Sequence, residues 1–279
     1  MFLAVALVLF AVFTLYPLFY AVKTSFLDYK PFGSDFVGLK NYEDTLKNAL
    51  FWKSVRNTLV YTAAAVPMTL LLSFLVAVMI QPFTRKIQAM LKAMFYLPLL
   101  ASGVALSVVW QWIYDSSPSG LLNIVFSFLG LPQQNWLNSS KTAMLSLIIM
   151  ALLSGLGQNI IIYSAALMGI DNSYYEAAEI DGARFFAKVQ FIVLPAVKPT
   201  TLFLTVTGVI NSFQVFMNAY MLTGGGPDNN TNMVGLLIFN NAFKYNEFGL
   251  ACAQAVILTI IIGSISILQF KMTGADVEY

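Results

Sequence analysis

Residues 173–195 read SYYEAAEIDGARFFAKVQFIVLP. They form an island of charge between two long uncharged runs, with charged side chains at Glu176, Glu179, Asp181, Arg184 and Lys188. Ionised side chains are costly inside a bilayer, whereas long uncharged runs are typical of membrane spans. The island is therefore expected to face water, and the runs on either side of it to cross a membrane.

The island predicts two short helices with a break between them. Ser173 can cap the first helix, and Glu176, three residues later, completes a capping box in the first turn, where the helix dipole favours a carboxylate. Gly182 permits the break, and Pro195 is expected to end the second helix because proline has no amide hydrogen to donate. The predicted product is a bent, solvent-facing pair of helices.

The composition of the whole chain is that of a membrane protein. Of its 279 residues, 58% are apolar and 10% are charged, whereas a soluble domain carries about 25% charged residues. The net charge of +2 is small and its basic residues are scattered, which is not the pattern of a nucleic-acid-binding surface.

Several kinds of chemistry are excluded by residues that the sequence lacks. It has no histidine and a single cysteine, Cys252, so Ser-His-Asp catalysis, an HExxH zinc site and an internal disulfide are ruled out. No GxxxxGK[ST] phosphate-binding loop is present. The sequence therefore predicts no catalytic residue, no metal site and no cofactor in this chain.

Six uncharged runs are each long enough to cross a hydrocarbon core, which needs about 20 helical residues. The predicted spans are 2–22, 57–83, 93–114, 142–170, 199–227 and 248–270, with a loop at 171–198. The predicted fold class is thus an all-α membrane protein, a single domain over residues 1–279 with six transmembrane helices in one bundle. Pro67 and Pro98 are expected to mark bends, and the aromatic residues of 110–114 to form an interfacial belt.

The first run lacks the basic leader and the cleavage site of a signal peptide, so it is interpreted as a span. It begins almost at Met1, and both a missing leader and a naturally short start remain open. Lysine and arginine are almost evenly divided between the two sides of the predicted bundle, so charge bias does not settle its orientation.

Polar residues within the fourth and fifth runs need an explanation, because an unpaired amide in lipid is costly. The helical faces that carry them are interpreted as candidates for lining a substrate path, with these members: Gly155, Gln158, Asn211, Ser212, Val215 and Asn218. Amide and hydroxyl groups can orient the hydroxyls of a neutral sugar without supplying charge. Interhelical hydrogen bonds that hold the bundle together are the alternative.

Within the island, Glu176-Ala177-Ala178, Gly182 and Leu194-Pro195 resemble the EAA motif found in the membrane subunits of bacterial ABC importers. In that family, this loop enters a cleft on a cytoplasmic ATPase subunit. The resemblance implies an ATPase-coupling role for Glu176, Ala177, Ala178, Glu179, Asp181, Gly182, Leu194 and Pro195. It also implies that the loop and both termini are cytoplasmic, and that ATP and magnesium are held by partner subunits. An ordinary amphipathic surface loop is the alternative.

Other segments resemble sugar-importer permeases of the maltose-transporter MalF type, among them Val37-Gly38-Leu39, Asn57-Thr58-Leu59 and residues 223–227, Thr-Gly-Gly-Gly-Pro. The resemblance implies a permease in the bacterial plasma membrane that transports an oligosaccharide. Its implied partners are a second similar permease, two ATPase subunits and an external solute-binding protein, either periplasmic or lipid-anchored. The particular sugar, its length and the identity of these partners stay open.

Two other transport functions remain as alternatives. An importer of charged solutes is expected to carry ionisable residues within its spans, and a proton-coupled secondary transporter is expected to place Asp, Glu or His there. The six runs contain none of these residues.

Overall fold

The computed structural model describes residues 2–30 and 33–274, and within them the chain is almost entirely helical. In chain order the α-helices are α1 (Phe2–Phe10), α2 (Tyr16–Thr24), α3 (Lys40–Lys47), α4 (Ala49–Ile80), α5 (Arg85–Leu100), α6 (Gly103–Ile113), α7 (Leu121–Phe128), α8 (Ala143–Met168), α9 (Asn172–Ile180), α10 (Phe185–Lys188), α11 (Leu194–Ala196), α12 (Lys198–Phe213), α13 (Met217–Leu222), α14 (Val234–Phe239) and α15 (Phe248–Gly274). Three π-helical segments join some of them: Ala11–Leu15, Val189–Val193 and Asn240–Lys244. Two short antiparallel strands, β1 (Leu27–Lys30) and β2 (Gly33–Phe36), follow α2.

Four helices are long and apolar enough to span a membrane: Leu3–Thr24, α4, α8 and Phe248–Met272 of α15. Two bent pairs pass the same test together, α5 with α6 and Phe185–Ala196 with α12. The described chain therefore has four spans, or six when each bent pair counts as one. The predicted all-α membrane class is confirmed.

The predicted span at 93–114 is interrupted in the structure. α5 ends at Leu100, and α6 leaves it at an angle of 98°. Pro98 lies in the last turn of α5, and the Ser102 hydroxyl starts α6 by accepting a hydrogen bond from the Ala105 amide at 3.1 Å. α4, by contrast, continues through Pro67 without a break.

The predicted span at 199–227 is also interrupted. α12 ends at Phe213, and α13 begins only at Met217. The interruption matters for the site described below, because it separates Val215 and Asn218 from the helical stripe predicted to include Asn211.

The second predicted span begins earlier than the uncharged run suggested. α4 starts at Ala49 because the Asn48 side chain caps it, accepting hydrogen bonds from the amides of Leu50 at 2.8 Å and Phe51 at 3.3 Å. Phe51 is completely buried. Packing of this apolar residue and capping by Asn48 together extend the helix into the polar segment before residue 57.

α4 and α8 form the centre of the bundle and pack along most of their lengths. α5 approaches α8 closely at Gly157, where a Cβ atom would lie 2.4 Å from the Phe95 carbonyl oxygen. Phe74 of α4 meets Tyr163 of α8 edge to face, with ring centroids 5.7 Å apart. These contacts fix the helices that surround the cavity described below.

A second buried cluster lies at the end of the bundle where α8 begins. Tyr114 and Trp136 pack with centroids 6.1 Å apart, and the Tyr114 hydroxyl donates to the Ser146 carbonyl oxygen at 2.8 Å. Trp110 and Tyr114 are 8% and 1% exposed, so their predicted place in an interfacial belt was wrong. Only Trp112 of that segment's two tryptophans is exposed.

Candidate functional site

The helix that carries the EAA motif begins two residues earlier than predicted. The Asp171 carboxylate caps α9, accepting a hydrogen bond from the Ser173 amide at 2.9 Å. This hydrogen bond holds the pKa of Asp171 below its ordinary value. Ser173 is therefore not the cap, and Glu176 lies in the second turn, beyond the strongest influence of the helix dipole.

Gly182 ends α9 in a left-handed conformation, with a φ of +73°. The Gly182 amide donates to the Glu179 carbonyl oxygen at 3.0 Å, and the Ala183 amide donates to the Ala178 carbonyl oxygen at 2.8 Å. These two bonds form a Schellman motif, which satisfies the last carbonyl groups of the helix. The structure thus agrees with the break predicted at this glycine.

An ion pair ties together the two helices on either side of this turn. Lys188 Nζ donates to Glu179 Oε1 at 2.8 Å, with Lys188 largely buried and Glu179 exposed. The hydrogen bond from Lys188 lowers the pKa of Glu179. The turn at Gly182 is therefore held from both flanks.

The second helix ends at Ala196, one residue after the predicted end at Pro195. The chain then bends by 64° at Val197 into α12. The π-helical segment Val189–Val193 lies directly before the proline, and such local widening accommodates a residue that has no amide hydrogen. The loop at 171–198, called the EAA loop from here on, is thus continuous with a membrane helix.

The EAA loop exposes both charge and large apolar side chains. Glu176 and Ala177 are exposed, and Ala178 is half-buried. Ile180 is 87% exposed and Phe186 is 83% exposed. Exposed apolar groups beside charged ones are typical of a surface that binds another protein. Sequence reasoning missed Ile180 and Phe186, although two adjacent phenylalanines within a polar island were a usable signal.

A cavity of about 760 Å³ opens among α4, α8, α12 and the junction of α5 with α6, near the middle of α4 and α8 and toward the end of α12. All six candidate residues from the fourth and fifth runs line it: Gly155, Gln158, Asn211, Ser212, Val215 and Asn218. That they meet a transported substrate stays a prediction. The interruption after α12 brings its last residues and those of α13 to the same wall.

The lining of this cavity combines a mainly apolar surface with amide and hydroxyl groups, and it includes no Asp, Glu, Lys or Arg. Asn159, Thr69 and Thr207 add amide and hydroxyl groups that sequence reasoning did not select. The Ser154 hydroxyl, which also lines the cavity, has no hydrogen-bond partner among the described residues. Such a wall can donate and accept hydrogen bonds without attracting charge.

At the opposite end of the bundle from the EAA loop, the glycine-rich turn after α13 is fastened to α4. The Asn57 side chain donates to the carbonyl oxygens of Asn229 at 2.8 Å and Asn232 at 3.1 Å. The Thr58 hydroxyl accepts from the Val234 amide at 3.1 Å. The segment Asn57-Thr58 therefore does more than begin a helix, because it holds a distant turn in place.

A comparison with known families decides where the chain belongs. The model of the family described as "Binding-protein-dependent transport system inner membrane component" matches residues 51–271. The chain belongs to this family. The predicted importer permease is thereby confirmed, and this binding-protein-dependent permease is a multi-pass membrane protein and a transport component, not an enzyme.

Relatives of this permease match it over nearly its whole length. The arabinooligosaccharides transport system permease protein AraP of Bacillus subtilis is 31% identical over 268 residues, covering 95% of this chain and 85% of that protein. The multiple sugar-binding transport system permease protein MsmF of Streptococcus mutans is 32% identical over 278 residues, covering 98% and 93%.

Solved structures share the fold of this permease. The crystal structure of a bacterial ABC transporter involved in the import of the acidic polysaccharide alginate matches with a TM-score of 0.84 at 22% identity, over 99% of this chain and 95% of that one. A bacterial alginate ABC transporter in complex with an alginate pentasaccharide-bound periplasmic protein matches with a TM-score of 0.83 at 21% identity, over 97% and 92%.

Proposed function

We propose that this permease is one membrane subunit of an ATP-driven importer of neutral oligosaccharides in the bacterial plasma membrane. The observation that carries the proposal is the charge-free cavity at mid-bundle, whose mainly apolar wall carries several amide and hydroxyl groups. It supplies hydrogen-bonding groups for sugar hydroxyls and no fixed charge for an ionic cargo. The named functions of AraP and MsmF agree with carbohydrate transport.

The absence of charge in the lining also narrows the class of sugar. The solved transporter described above that shares this fold is involved in the import of alginate, an acidic polysaccharide. A polyuronate in a membrane cavity calls for a nearby cation, and the lining residues of this cavity include no lysine or arginine. A neutral sugar is therefore the better match for this chain.

The remaining parts of the proposed importer lie outside this chain. A second, similar permease completes the translocation path, two ATPase subunits hold ATP and magnesium, and an external solute-binding protein delivers the sugar. The EAA loop acts as a coupling helix on the cytoplasmic side, through Glu176, Ala177, Ala178, Glu179, Asp181, Gly182, Leu194 and Pro195. Its support is the exposed apolar and charged surface of the loop and its continuity with α12.

Mechanistically, the ATPase subunits close on nucleotide and move the EAA loop. Because the loop runs on into α12, that motion reaches the wall of the cavity directly and shifts the balance between outward-facing and inward-facing states. Sugar on the solute-binding protein and nucleotide on the ATPase subunits therefore shift the same equilibrium, the one between the outward-facing and inward-facing states.

The test is uptake by proteoliposomes that contain the permease with its partner permease and ATPase subunits. Neutral oligosaccharides, uronate oligomers and amino acids are offered with the cognate binding protein. The proposal expects uptake of a neutral oligosaccharide that requires ATP and persists when a protonophore collapses the proton gradient. Uptake driven by the gradient without ATP would instead establish a secondary transporter, and uptake of a charged solute would replace the sugar assignment.

A further inference from the structure

A second cavity, also about 760 Å³, lies at the end of the bundle that carries the EAA loop. One wall is the start of α5, where Arg85 and Lys92 are seven residues apart and so share a face of the helix. The facing wall is the end of α8 and the start of α9, with Met168, Asn172 and Tyr175. This cavity shares no lining residue with the one at mid-bundle.

Its positive charge is not neutralised within the described chain. Neither Arg85 nor Lys92 forms an ion pair with any residue that the structure describes, and none of the side chains lining the cavity is acidic. Gln88, between the two cations, uses its amide to donate to the carbonyl oxygens of Gln81 and Phe83, both at 2.9 Å. That pair of bonds fixes the turn before α5, so the two cations are held over the cavity on an ordered helix start.

Tyr175 closes the opposite wall from inside the bundle. Its hydroxyl is inaccessible to solvent, and its side chain packs against the buried core of the bundle. The groups that can meet an anion in this cavity are therefore the two cations of α5 and the exposed Asn172 on the facing wall.

The position of the cavity identifies the kind of anion. α4 ends at Ile80 and α8 ends at Met168, so the cavity lies at the level where two membrane spans meet water. Its polar side is combined with an apolar side made by Leu167, Met168 and Ile170. Basic pockets between transmembrane helices at the cytoplasmic interface suit anionic lipid headgroups. The apolar side would contribute nothing to the binding of a small anion from solution.

We propose that this cavity binds the phosphate headgroup of an anionic phospholipid such as phosphatidylglycerol. Because Asn172 and Tyr175 belong to α9, a bound headgroup braces the EAA loop against α5. Only the placement in the cytoplasmic leaflet rests on the proposed function, and headgroup binding itself does not.

Binding is measured by native mass spectrometry of the complex purified in detergent and titrated with phosphatidylglycerol or phosphatidylcholine. The double variant Arg85→Gln/Lys92→Gln is expected to bind phosphatidylglycerol about 25-fold more weakly, since each basic side chain near an anionic headgroup contributes roughly fivefold. Lys86→Gln is the matched control, because Lys86 is an exposed neighbour that does not line the cavity.

Three outcomes overturn the proposal: equal binding by the double variant and the wild type, equal loss in Lys86→Gln, or equal affinity for phosphatidylcholine. Displacement of the lipid by excess inorganic phosphate would instead identify a site for a free anion. A complex that binds phosphatidylglycerol in this pattern but fails to import any sugar would retain the headgroup site and remove the proposed function. Sugar import without preferential phosphatidylglycerol binding would retain the proposed function and remove the headgroup site.

Discussion

The turn at Gly182 offers the sharpest test of coupling, because its requirement for glycine is a matter of backbone conformation alone. The residue has a φ of +73°, and a Cβ atom added there would meet nothing within 4 Å. A side chain therefore costs energy through strain and not through a clash. A left-handed conformation costs a non-glycine residue roughly 1–2 kcal/mol, and more when the side chain is β-branched.

Gly182→Val is therefore expected to lower the equilibrium constant that favours the native turn by about tenfold or more, since about 1.4 kcal/mol corresponds to a factor of ten. Two Schellman hydrogen bonds and the Lys188–Glu179 pair are then weakened together. Uptake of labelled sugar by reconstituted complexes should fall measurably, and by no more than the factor by which this equilibrium constant falls, while the amount of permease in the membrane stays the same. Sugar-stimulated ATPase activity should fall with it.

Gly182→Asn is the matched control, because asparagine tolerates the left-handed region far better than valine does. It should retain most of the uptake activity. The reasoning is refuted if Gly182→Val transports at the wild-type rate, or if Gly182→Asn is as defective as Gly182→Val. Equal defects would mean that any side chain disturbs a surface at this position, regardless of backbone strain.

Three further outcomes are expected. Glu176→Lys should abolish uptake at unchanged membrane level because it reverses charge on the exposed face of α9, and normal transport with normal ATPase activity would remove Glu176 from the coupling surface. Asn211→Leu should raise the KM for sugar uptake severalfold, whereas Thr259→Val on the exposed side of α15 should leave it unchanged; matching values would exclude Asn211 from the substrate path. Asn57→Ala removes two hydrogen bonds to the glycine-rich turn, each contributing about 1 kcal/mol, so the Tm of the purified complex should fall, and an unchanged Tm would show that the turn is held by other contacts.

The Glu179–Lys188 pair has a defined pH dependence. Its hydrogen bond lowers the folded-state pKa of Glu179, so its stabilisation is fully present above the ordinary glutamate pKa of about 4.3 and is lost as pH falls through the lower folded value. Thermal unfolding of wild type and Lys188→Gln, measured between neutral and acidic pH, should show two curves that converge at the acidic end. A difference in Tm between the two proteins that stays constant across this pH range would contradict a stabilising Glu179–Lys188 ion pair.

The membrane class and the place of the turn were readable from the sequence because each depends on local chemistry. Uncharged runs of about 20 residues have few other uses, and a glycine between two charged helical segments supplies the left-handed residue that a Schellman motif needs. The start of α9 was not readable in the same way. Asp171 and Ser173 are both good caps, and the choice between them depends on where α8 ends at Met168.

The interruptions of the spans were harder to foresee because they depend on packing between distant segments. Trp110 and Tyr114 end a helix, which on sequence alone favours an interfacial belt. In the structure they are buried because Trp136, from a segment beyond α7, packs on Tyr114. Pro195, by contrast, marked a helix end correctly to within one residue, because the helix ends at Ala196 before the bend at Val197.

The bend at Val197 bears on the proposed coupling. α12 starts where the EAA loop ends, and its 16 residues reach about 24 Å at 1.5 Å per residue. Asn211, near the far end of α12, lines the cavity. In the proposed mechanism, α12 alone therefore links the EAA loop to the cavity wall, and a small rotation of the loop at the Val197 bend displaces that wall. A variant that makes the connection at Val197 flexible is accordingly expected to uncouple ATPase activity from sugar uptake, and wild-type coupling in that variant would contradict the proposed mechanism.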